Sequence, residues 1–395
     1  ARLFPTLVAA ETYKREYLSP LIPQVRDRPE FASFATTAAV LEDLNMTISV
    51  FPLDGMIPTL VSATDSERMR KLFSETLPDV ISRKFVIDQV TMDIVHYGRF
   101  KRCVIRYNLD GNDPVTDAPL RQVIFGKVDA DGHGALSIPV ITSLLEFMQG
   151  NNHQFHFNVP RSLGYYPESK LLLMEALPSG IGVTELLKSH LCGDDLNAQG
   201  TLTLDEAIQA CAQIAASLHR SHIKLGKVRS YQGEVARLQE EIDNMQAVLP
   251  ALGGEINRSF KEVQRLGKDT VPMPFVFSHG DFTYSQLIIS GRESGLVDFD
   301  SVCQAEPALD LGSFLAYQRM VICKSQNPDR PMSQQEIDRL CEQFLNTYIE
   351  SASDRLVDIE NLRSRVKVYE MMSLIRLAVH SWEKFKGPRL KHTMD

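Results

Sequence analysis

Residues 277–286 read FSHGDFTYSQ and place a histidine, a glycine and an aspartate between two apolar runs. The flanking runs FVF and LII are apolar, and LIIS at 287–290 predicts a short strand, so Asp281 is expected in the loop between them. Asp298 ends a second strand-like segment, in LVDFD, and Gln286 follows Asp281 by five residues. Mg²⁺ takes oxygen ligands and usually needs only one or two carboxylates besides substrate phosphates. Either aspartate alone would suit a turn or a strand end, but together they favour a metal site beside a general base.

The hydrophobic pattern changes from strand-like to helical along the chain. Segments from residue 86 to about 130 tend towards period two and are separated by the turn sequences DGND and DGHG, and residues 170–177 are typical of a buried strand. Residues 137–149 have helical spacing and interrupt this meander, and helical spacing prevails after residue 182. The pattern predicts an α+β fold with two lobes, a small antiparallel β-rich N-lobe and a large, mainly helical C-lobe.

Three domains are expected from this change of pattern. Residues 1–54 carry several prolines and no identifying motif, and they are predicted to form an N-terminal extension. Residues 55–178 would form the N-lobe and residues 179–395 the C-lobe, joined by the stretch EALPSGIG. A length of 395 residues agrees with two or three structural units.

Composition argues against several classes of protein. Lys and Arg number 42 against 50 Asp and Glu, and this acidic balance disfavours a general nucleic-acid binder. No apolar run is long enough for a membrane span, and the first residues do not resemble a signal peptide. Six scattered cysteines without a CxxC pair are typical of reduced thiols, so a cytoplasmic location is expected. A homodimer is left open.

The motifs HGDFTYSQLII and GLVDFDSVCQAEPALDLG resemble those of the aminoglycoside phosphotransferase and choline kinase family, which shares the protein-kinase-like fold. The family pattern is HGDxxxxN, a strand ending in an acidic residue, and then a P-x-x-DLA-like helix start. His279, Asp281, Asp298, Pro307 and Asp310 stand at matching positions. The compatible pattern runs from about residue 86 to 385.

The resemblance implies roles for the acidic residues, with ATP and Mg²⁺ as cofactors. Asp281 would be the catalytic base that orients the acceptor hydroxyl, and Asp298 would bind Mg²⁺ on the ATP phosphates, since phosphoryl transfer needs chiefly positioning and charge neutralisation. Asp310 would brace the catalytic loop. Asp300 is open between a supporting carboxylate and a metal ligand. His219 would be a packed structural histidine.

Gln286 departs from the family pattern, which has an asparagine whose side-chain oxygen binds a metal. Glutamine offers the same amide oxygen on a longer stem. Two interpretations remain open for Gln286: it is a metal ligand, or the metal is held weakly and the protein keeps nucleotide binding with little catalysis.

The β-rich lobe is expected to hold the nucleotide. In RQVIFGKVDA, Phe125 and Lys127 share one strand face. The family resemblance implies that Lys127 binds the phosphates and that Phe125 covers the adenine. The alternative for Lys127 is a lysine at the strand edge. Glu146 would pair with Lys127, or else be an exposed helix residue. The backbone of Glu175 and Leu177 would read the adenine edge.

The predicted activity is an ATP- and Mg²⁺-dependent transfer of phosphate to a hydroxyl of a small molecule. An aminoglycoside-like antibiotic, an amino alcohol, a sugar or a natural product are the acceptor classes considered. The alternative is a catalytically weak kinase-fold protein that binds nucleotide and regulates. A protein kinase is disfavoured, because only about ten residues separate Asp298 from the next helix.

Overall fold

The computed structural model describes residues 1–150, 157–178, 180–193, 202–325, 331–353 and 358–383, and within them the predicted α+β class is confirmed. The helices are α1 Leu7–Tyr13, α2 Leu60–Ala63, α3 Ser66–Thr76, α4 Pro78–Ile81, α5 Ser137–Gly150, α6 Val183–Cys192, α7 Leu204–Arg220, α8 Tyr231–Val248, α9 Pro250–Lys268, α10 Ala308–Ser325, α11 Gln334–Ser351 and α12 Ile359–Glu383. The strands are β1 Arg2–Leu3, β2 Ala38–Leu41, β3 Met46–Ser49, β4 Val86–Gly98, β5 Arg102–Asn112, β6 Pro119–Asp129, β7 Ser162–Tyr166, β8 Leu171–Glu175, β9 Ile181–Gly182, β10 Lys227–Arg229, β11 Val276–Ser278, β12 Leu287–Ser290, β13 Glu293–Leu296 and β14 Cys303–Ala305.

Two compact units divide the chain. The first comprises Ala1–Pro139 and Pro160–Ala176, and the second comprises Val140–Val159 and Leu177–Asp395. The division falls within α5 and again just after β8. Residues 1–54 lie within the first unit, and residue 179, where the C-lobe was predicted to begin, lies outside the described residues.

The first unit contains the predicted antiparallel meander. Its five-stranded sheet has the order β4-β5-β6-β8-β7, and every neighbouring pair is antiparallel. Alternation along β6 places Ile124 and Val128 in the hydrophobic core of this unit. The side chains of Phe125 and Lys127, one residue out of phase, therefore point to the opposite face of the sheet.

The N-terminal segment forms a small sheet of its own, in the order β1-β3-β2. Asp54, at its end, is buried and accepts hydrogen bonds from the Tyr97 hydroxyl at 2.7 Å and from the Phe100 backbone N–H at 3.0 Å. Phe100 lies in the turn between β4 and β5 and has a φ of 63°. The segment is thereby joined to the first turn of the larger sheet.

The second unit has two three-stranded sheets. One has the order β10-β14-β11, with β10 parallel to β14, and the other has the antiparallel order β13-β12-β9. Asn158 extends the second sheet, because its N–H donates to Ser294 O at 2.7 Å and its carbonyl accepts from Leu296 N at 2.9 Å. The loop that follows β11 and Asp298, the residue after Val297, both lie in the second unit.

Helices complete the second unit, in which α10 packs on α12, α7 on α11, and α8 on α9. Helix α7 begins with a capping box, in which the Thr203 hydroxyl accepts from Glu206 N and the Glu206 carboxylate accepts from Thr203 N. Its apolar residues recur at helical spacing and are buried. The α7–α11 contact brings His219 and Tyr348 together.

Two further features concern the part of the chain that the structure describes. Within it, no helix has the length and apolar character that crossing a bilayer requires. All six cysteines are free, and of these only Cys192 is exposed.

Candidate active site

The turn that follows β11, residues 279–282 and called here the HGD loop, depends on the glycine at its second position. Gly280 has a φ of 77°, in the left-handed region that other residues rarely adopt. A Cβ atom at this position would lie 2.0 Å from the Ser301 carbonyl oxygen. The backbone therefore passes Ser301 at a distance that no other residue type permits.

Asp310 braces the HGD loop, as the sequence predicts. Its carboxylate accepts from two consecutive backbone N–H groups, Oδ2 from His279 at 2.7 Å and Oδ1 from Gly280 at 2.8 Å. Asp310 is fully buried and lies in the first turn of α10, where the helix dipole favours a negative charge. One side chain thus fixes two successive peptide groups just before Asp281.

His219 contacts the Asp310 carboxylate and helps to hold it in place. Its Nε2 lies 3.3 Å from Asp310 Oδ2, and its Nδ1 lies 2.8 Å from the Tyr348 hydroxyl. With the proton on Nε2 the ring donates to Asp310 and accepts from Tyr348, which satisfies all three groups. Burial raises the pKa of Asp310, but the hydrogen bond from His219 and the other contacts of the carboxylate outweigh it and lower that pKa overall.

His279 joins the HGD loop to the strand that leads to Asp298. Its Nε2–H donates to the Val297 carbonyl at 3.0 Å, and its ring packs against the buried Phe299 ring, with 5.5 Å between centroids. Val297 N–H in turn donates to the Gln286 carbonyl at 3.0 Å. These contacts bring the segments that carry Asp281, Gln286 and Asp298 side by side.

Asp281 and Gln286 are in direct contact. The Gln286 amide nitrogen, Nε2, donates to Asp281 Oδ2 at 3.1 Å. Both residues are half-buried, and the short 3₁₀ turn Tyr284–Gln286 presents the glutamine. Because the amide nitrogen faces the carboxylate, the amide oxygen of Gln286 is directed away from it and is available to a cation.

Asp298 has an uncommon backbone conformation, with φ 66° and ψ 67°. It is half-buried and is the second residue after β13, whereas Asp300, two residues further on, is exposed. Strained backbone at a polar residue is often maintained at functional sites. The buried Phe299 between the two aspartates anchors this turn to the second unit.

The donor atoms present suit a hard divalent cation. Among the described residues, no group of three or more His, Cys, Asp or Glu side chains could hold a metal ion. Oxygen donors from Asp298 and Gln286 would leave most coordination positions to water or to a bound substrate. That is the donor set that Mg²⁺ accepts, whereas Zn²⁺ would need more nitrogen or sulfur ligands.

Three of the residues predicted to bind nucleotide lie on neighbouring strands of the first unit. Lys127, on β6, is buried and pairs in register with Leu172 on β8. Phe125 on the same face is half-buried, and Glu175 ends β8, where its N–H donates to Arg161 O at 2.9 Å. The sheet therefore brings Lys127, Phe125 and Glu175 onto adjacent strands.

The other two predicted nucleotide residues belong to the second unit. Glu146 is exposed on α5, and Leu177 is half-buried and lies against Gly295. The pairing of Glu146 with Lys127 stays a prediction, as do the roles of Phe125, Glu175 and Leu177.

Sequence reasoning missed one pair of residues at the HGD loop. Arg229, the last residue of β10, donates from Nη1 to the Gly280 carbonyl at 2.8 Å, and Glu234 on α8 holds its guanidinium. A basic residue five positions before an acidic one in KVRSYQGE is a common surface pattern. The pairing of β10 with β14, and of β14 with β11, places this arginine in the same sheet as the strand that leads into the loop.

A sequence model of the phosphotransferase enzyme family, APH, matches residues 146–340. The predicted family resemblance is confirmed. The matched phosphotransferase-family region contains the HGD loop, Gln286, Asp298 and Asp310, and it begins at Glu146.

Comparison with known proteins gives a related result. Glucosamine kinase of Streptacidiphilus jiangxiensis is 30% identical over 118 residues, which is 26% of this chain and 26% of that protein. The match thus spans about a quarter of that relative's length.

Solved kinase structures share the fold of the phosphotransferase-family region and of much of the rest of the chain. A GDP and kanamycin complex of APH(2")-IIia superposes with a TM-score of 0.53 at 12% identity, over 82% of this chain and 95% of that one. Choline kinase from Cryptosporidium parvum Iowa II gives 0.51 at 11% identity, over 83% and 94%. At such identities the likeness shows the fold, and it confirms the predicted kinase-like fold class.

Proposed function

We propose that the protein transfers the γ-phosphate of ATP to a hydroxyl group of a small molecule, with Mg²⁺ as cofactor. One observation carries the proposal: a rigidly braced HGD loop holds Asp281 next to Gln286 and the segment of Asp298, inside a phosphotransferase-family region. Phosphoryl transfer depends chiefly on positioning and charge neutralisation, and this arrangement provides both.

Asp281 would act as the catalytic base. Its carboxylate would accept the hydrogen bond of the acceptor hydroxyl and direct that oxygen towards the phosphate. Asp298 and the amide oxygen of Gln286 would hold Mg²⁺, which when bound neutralises charge on the phosphates. Lys127 would contact the phosphates, and Glu146 would orient Lys127.

The nucleotide side is supported more indirectly. The APH(2")-IIia structure holds GDP, and we extend nucleotide binding to this chain as part of the proposal. Phe125 would cover the base, and the backbone of Glu175 and Leu177 would read its edge. Both ATP and GTP therefore belong in the first binding experiment.

The acceptor is proposed as a small hydroxyl compound of the amino-sugar, amino-alcohol or sugar type. The relatives act on different molecules: one is named a glucosamine kinase, another a choline kinase, and a third is in complex with kanamycin. Glucosamine is the first compound to assay, because the glucosamine kinase gives the match at the highest sequence identity among these.

The proposal is tested with the substitution Asp281→Asn. Loss of the carboxylate removes the base but keeps a side chain that can still contact Gln286, so turnover should fall by about 10²–10⁴-fold. ATP binding, measured by calorimetry in the presence of Mg²⁺, should stay near the wild-type affinity, because Asp281 is not proposed to contact the nucleotide.

Asp269→Asn is the matched control, since Asp269 is exposed, lies in the second unit just after α9 and has no proposed role in the site. It should keep most of the activity. Wild-type turnover in Asp281→Asn, or an equal loss in both variants, would refute the proposed base.

A second function is favoured by the same contact. The Gln286 amide donates to Asp281 Oδ2, and this bond ties up an oxygen that the base would need. A protein with this bond in place could bind nucleotide and regulate without rapid catalysis. A thermal-shift series with ATP and Mg²⁺, followed by ATP consumption over a panel of hydroxyl compounds, separates the two functions: binding without consumption supports the second.

A further inference from the structure

The Gly280–Asp281 peptide group is held from a direction that Asp310 does not reach. Asp310 takes the N–H groups of His279 and Gly280, whereas the Gly280 carbonyl accepts from Arg229 Nη1 at 2.8 Å. A peptide group is planar, so fixing this oxygen also fixes the N–H and the Cα position of Asp281. Gly280 itself restrains this plane little, because glycine has the widest range of backbone conformations.

The arginine that makes this contact is itself immobilised. Glu234 accepts from Arg229 Nε at 2.9 Å through Oε1 and from Nη2 at 2.8 Å through Oε2. A guanidinium is planar and rigid, so a two-point contact on one edge directs the remaining Nη1 to a fixed place. Glu234 is 3% exposed and lies in the first turn of α8, whose N-terminus is capped by Ser230.

Both charges of this pair persist over the working pH range. Burial raises the pKa of Glu234, but the hydrogen bonds and charge of Arg229, with the charges of Arg376 and Arg237, lower it to about 2. Burial lowers the pKa of Arg229, but Glu234 outweighs this and raises that pKa above its ordinary value. The contact with Gly280 is therefore a permanent part of the fold rather than a pH switch.

Other arginines near Glu234 show that neutralising the carboxylate does not require Arg229. Arg237 Nη2 and Arg376 Nη2 also donate to Glu234 Oε2, at 2.7 and 3.1 Å. Arg229 differs from them in using both carboxylate oxygens and, in addition, the carbonyl before Asp281.

We propose that Arg229, held by Glu234, is a positioning residue that sets the orientation of Asp281. This inference rests on the proposed role of Asp281 as the base. Arg229 acts through the backbone and has no assigned contact with either substrate. Its loss should lower the rate of the chemical step and leave nucleotide affinity unchanged.

Arg229→Lys tests the inference, because lysine keeps the charge but cannot contact both Glu234 oxygens and the Gly280 carbonyl at once. Turnover should fall by up to ~100-fold, as expected for a misplaced catalytic group, while KM for ATP stays within about twofold. Glu234→Gln should likewise lower kcat and leave KM for ATP nearly unchanged. Arg237→Gln is the control: it removes another partner of Glu234 and leaves the Arg229–Gly280 bond, so its kcat should be near wild type.

A second measurement does not need catalysis. Hydrogen exchange of the peptide spanning residues 277–287 should be faster in Arg229→Lys than in the wild type, and unchanged in Arg237→Gln. If the wild type phosphorylates no acceptor, the proposed function fails while this exchange result still decides whether Arg229 holds the loop. Unchanged exchange in Arg229→Lys, or an equal loss of kcat in Arg237→Gln, would overturn the inference.

Discussion

The HGD loop shows how few side chains fix the position of one carboxylate. Asp310 takes two N–H groups, Arg229 takes the next carbonyl, and His279 bonds to Val297 O. Only glycine fits at position 280, for reasons of both conformation and space. The Asp281 side chain thereby meets Gln286 in a backbone frame that has few ways to relax.

Glu234, the buried carboxylate that holds Arg229 in this frame, gives a pH prediction. Its pKa falls from an ordinary 4.5 to about 2 in the folded state. A lowered folded-state pKa stabilises the protein above the unfolded-state value, and that contribution is lost as the pH falls through the folded-state value. The difference in unfolding free energy between wild type and Glu234→Gln should be constant above pH 4.5 and shrink towards pH 2.

Urea unfolding at a series of pH values measures this difference. Glu262→Gln serves as the control, because Glu262 is exposed and its contact with Arg265 is screened by solvent, so its difference should be small at every pH. If the difference in unfolding free energy between wild type and Glu234→Gln did not change with pH, the lowered pKa of Glu234 in the folded state would be contradicted.

At the scale of elements, one buried ion pair joins three parts of the second unit. The Glu306 carboxylate, just before α10, accepts hydrogen bonds from two nitrogens of Arg365 on α12, Nε at 2.8 Å and Nη2. It also accepts from the Met273 N–H at 3.1 Å, in the segment before β11. Arg365 is fully buried. The pair therefore ties the helix α12 to both ends of the region that carries the HGD loop.

Arg365→Met should destabilise the protein strongly, because it leaves the buried Glu306 carboxylate without its cation. Breaking a buried pair on one side costs about 3–5 kcal/mol, which thermal or denaturant unfolding would detect easily. The matched control is Arg363→Met on the same helix, whose partner Glu342 is largely exposed. Equal stability losses in the two variants would show that burial of the Glu306 pair is not the determining factor.

At the scale of the whole molecule, the six thiols report on packing. Cys192 is exposed, Cys323 is half-buried and the other four are buried. Burial raises the pKa of Cys103, Cys303 and Cys341 to about 12, and that of Cys211 also rises, which suppresses the reactive thiolate.

A disulfide reagent such as dithiobisnitrobenzoate should therefore label one thiol quickly in the folded protein and all six after denaturation. Cys192→Ser should abolish the fast reaction and reduce the number of thiols that react after denaturation from six to five. Rapid labelling of several thiols in that variant would show that the buried cysteines are accessible.

Much of the fold could be predicted, because strands and helices leave a local periodicity in the sequence. The predicted strand 287–290 coincides with β12, and the predicted helix 137–149 nearly coincides with α5. Helix α3 also begins at a local signal, because the Asp65 side chain caps it by accepting from Arg68 N. Residues 1–54 carry no identifying motif, and two of the hydrogen bonds that attach them, from Tyr97 and Phe100 to Asp54, come from more than forty positions away.

The sequence by itself determined the α+β class and the family resemblance, and it predicted the candidate group of Asp281, Gln286 and Asp298, because these follow from short motifs and local periodicity. Only the tertiary structure decided how the HGD loop is held. Arg229 and Gly280 are 51 positions apart, Glu306 and Arg365 are 59 apart, and His219 and Tyr348 are 129 apart. Such pairs form when packed elements bring distant side chains together, and the local periodicity of the sequence does not predict these contacts.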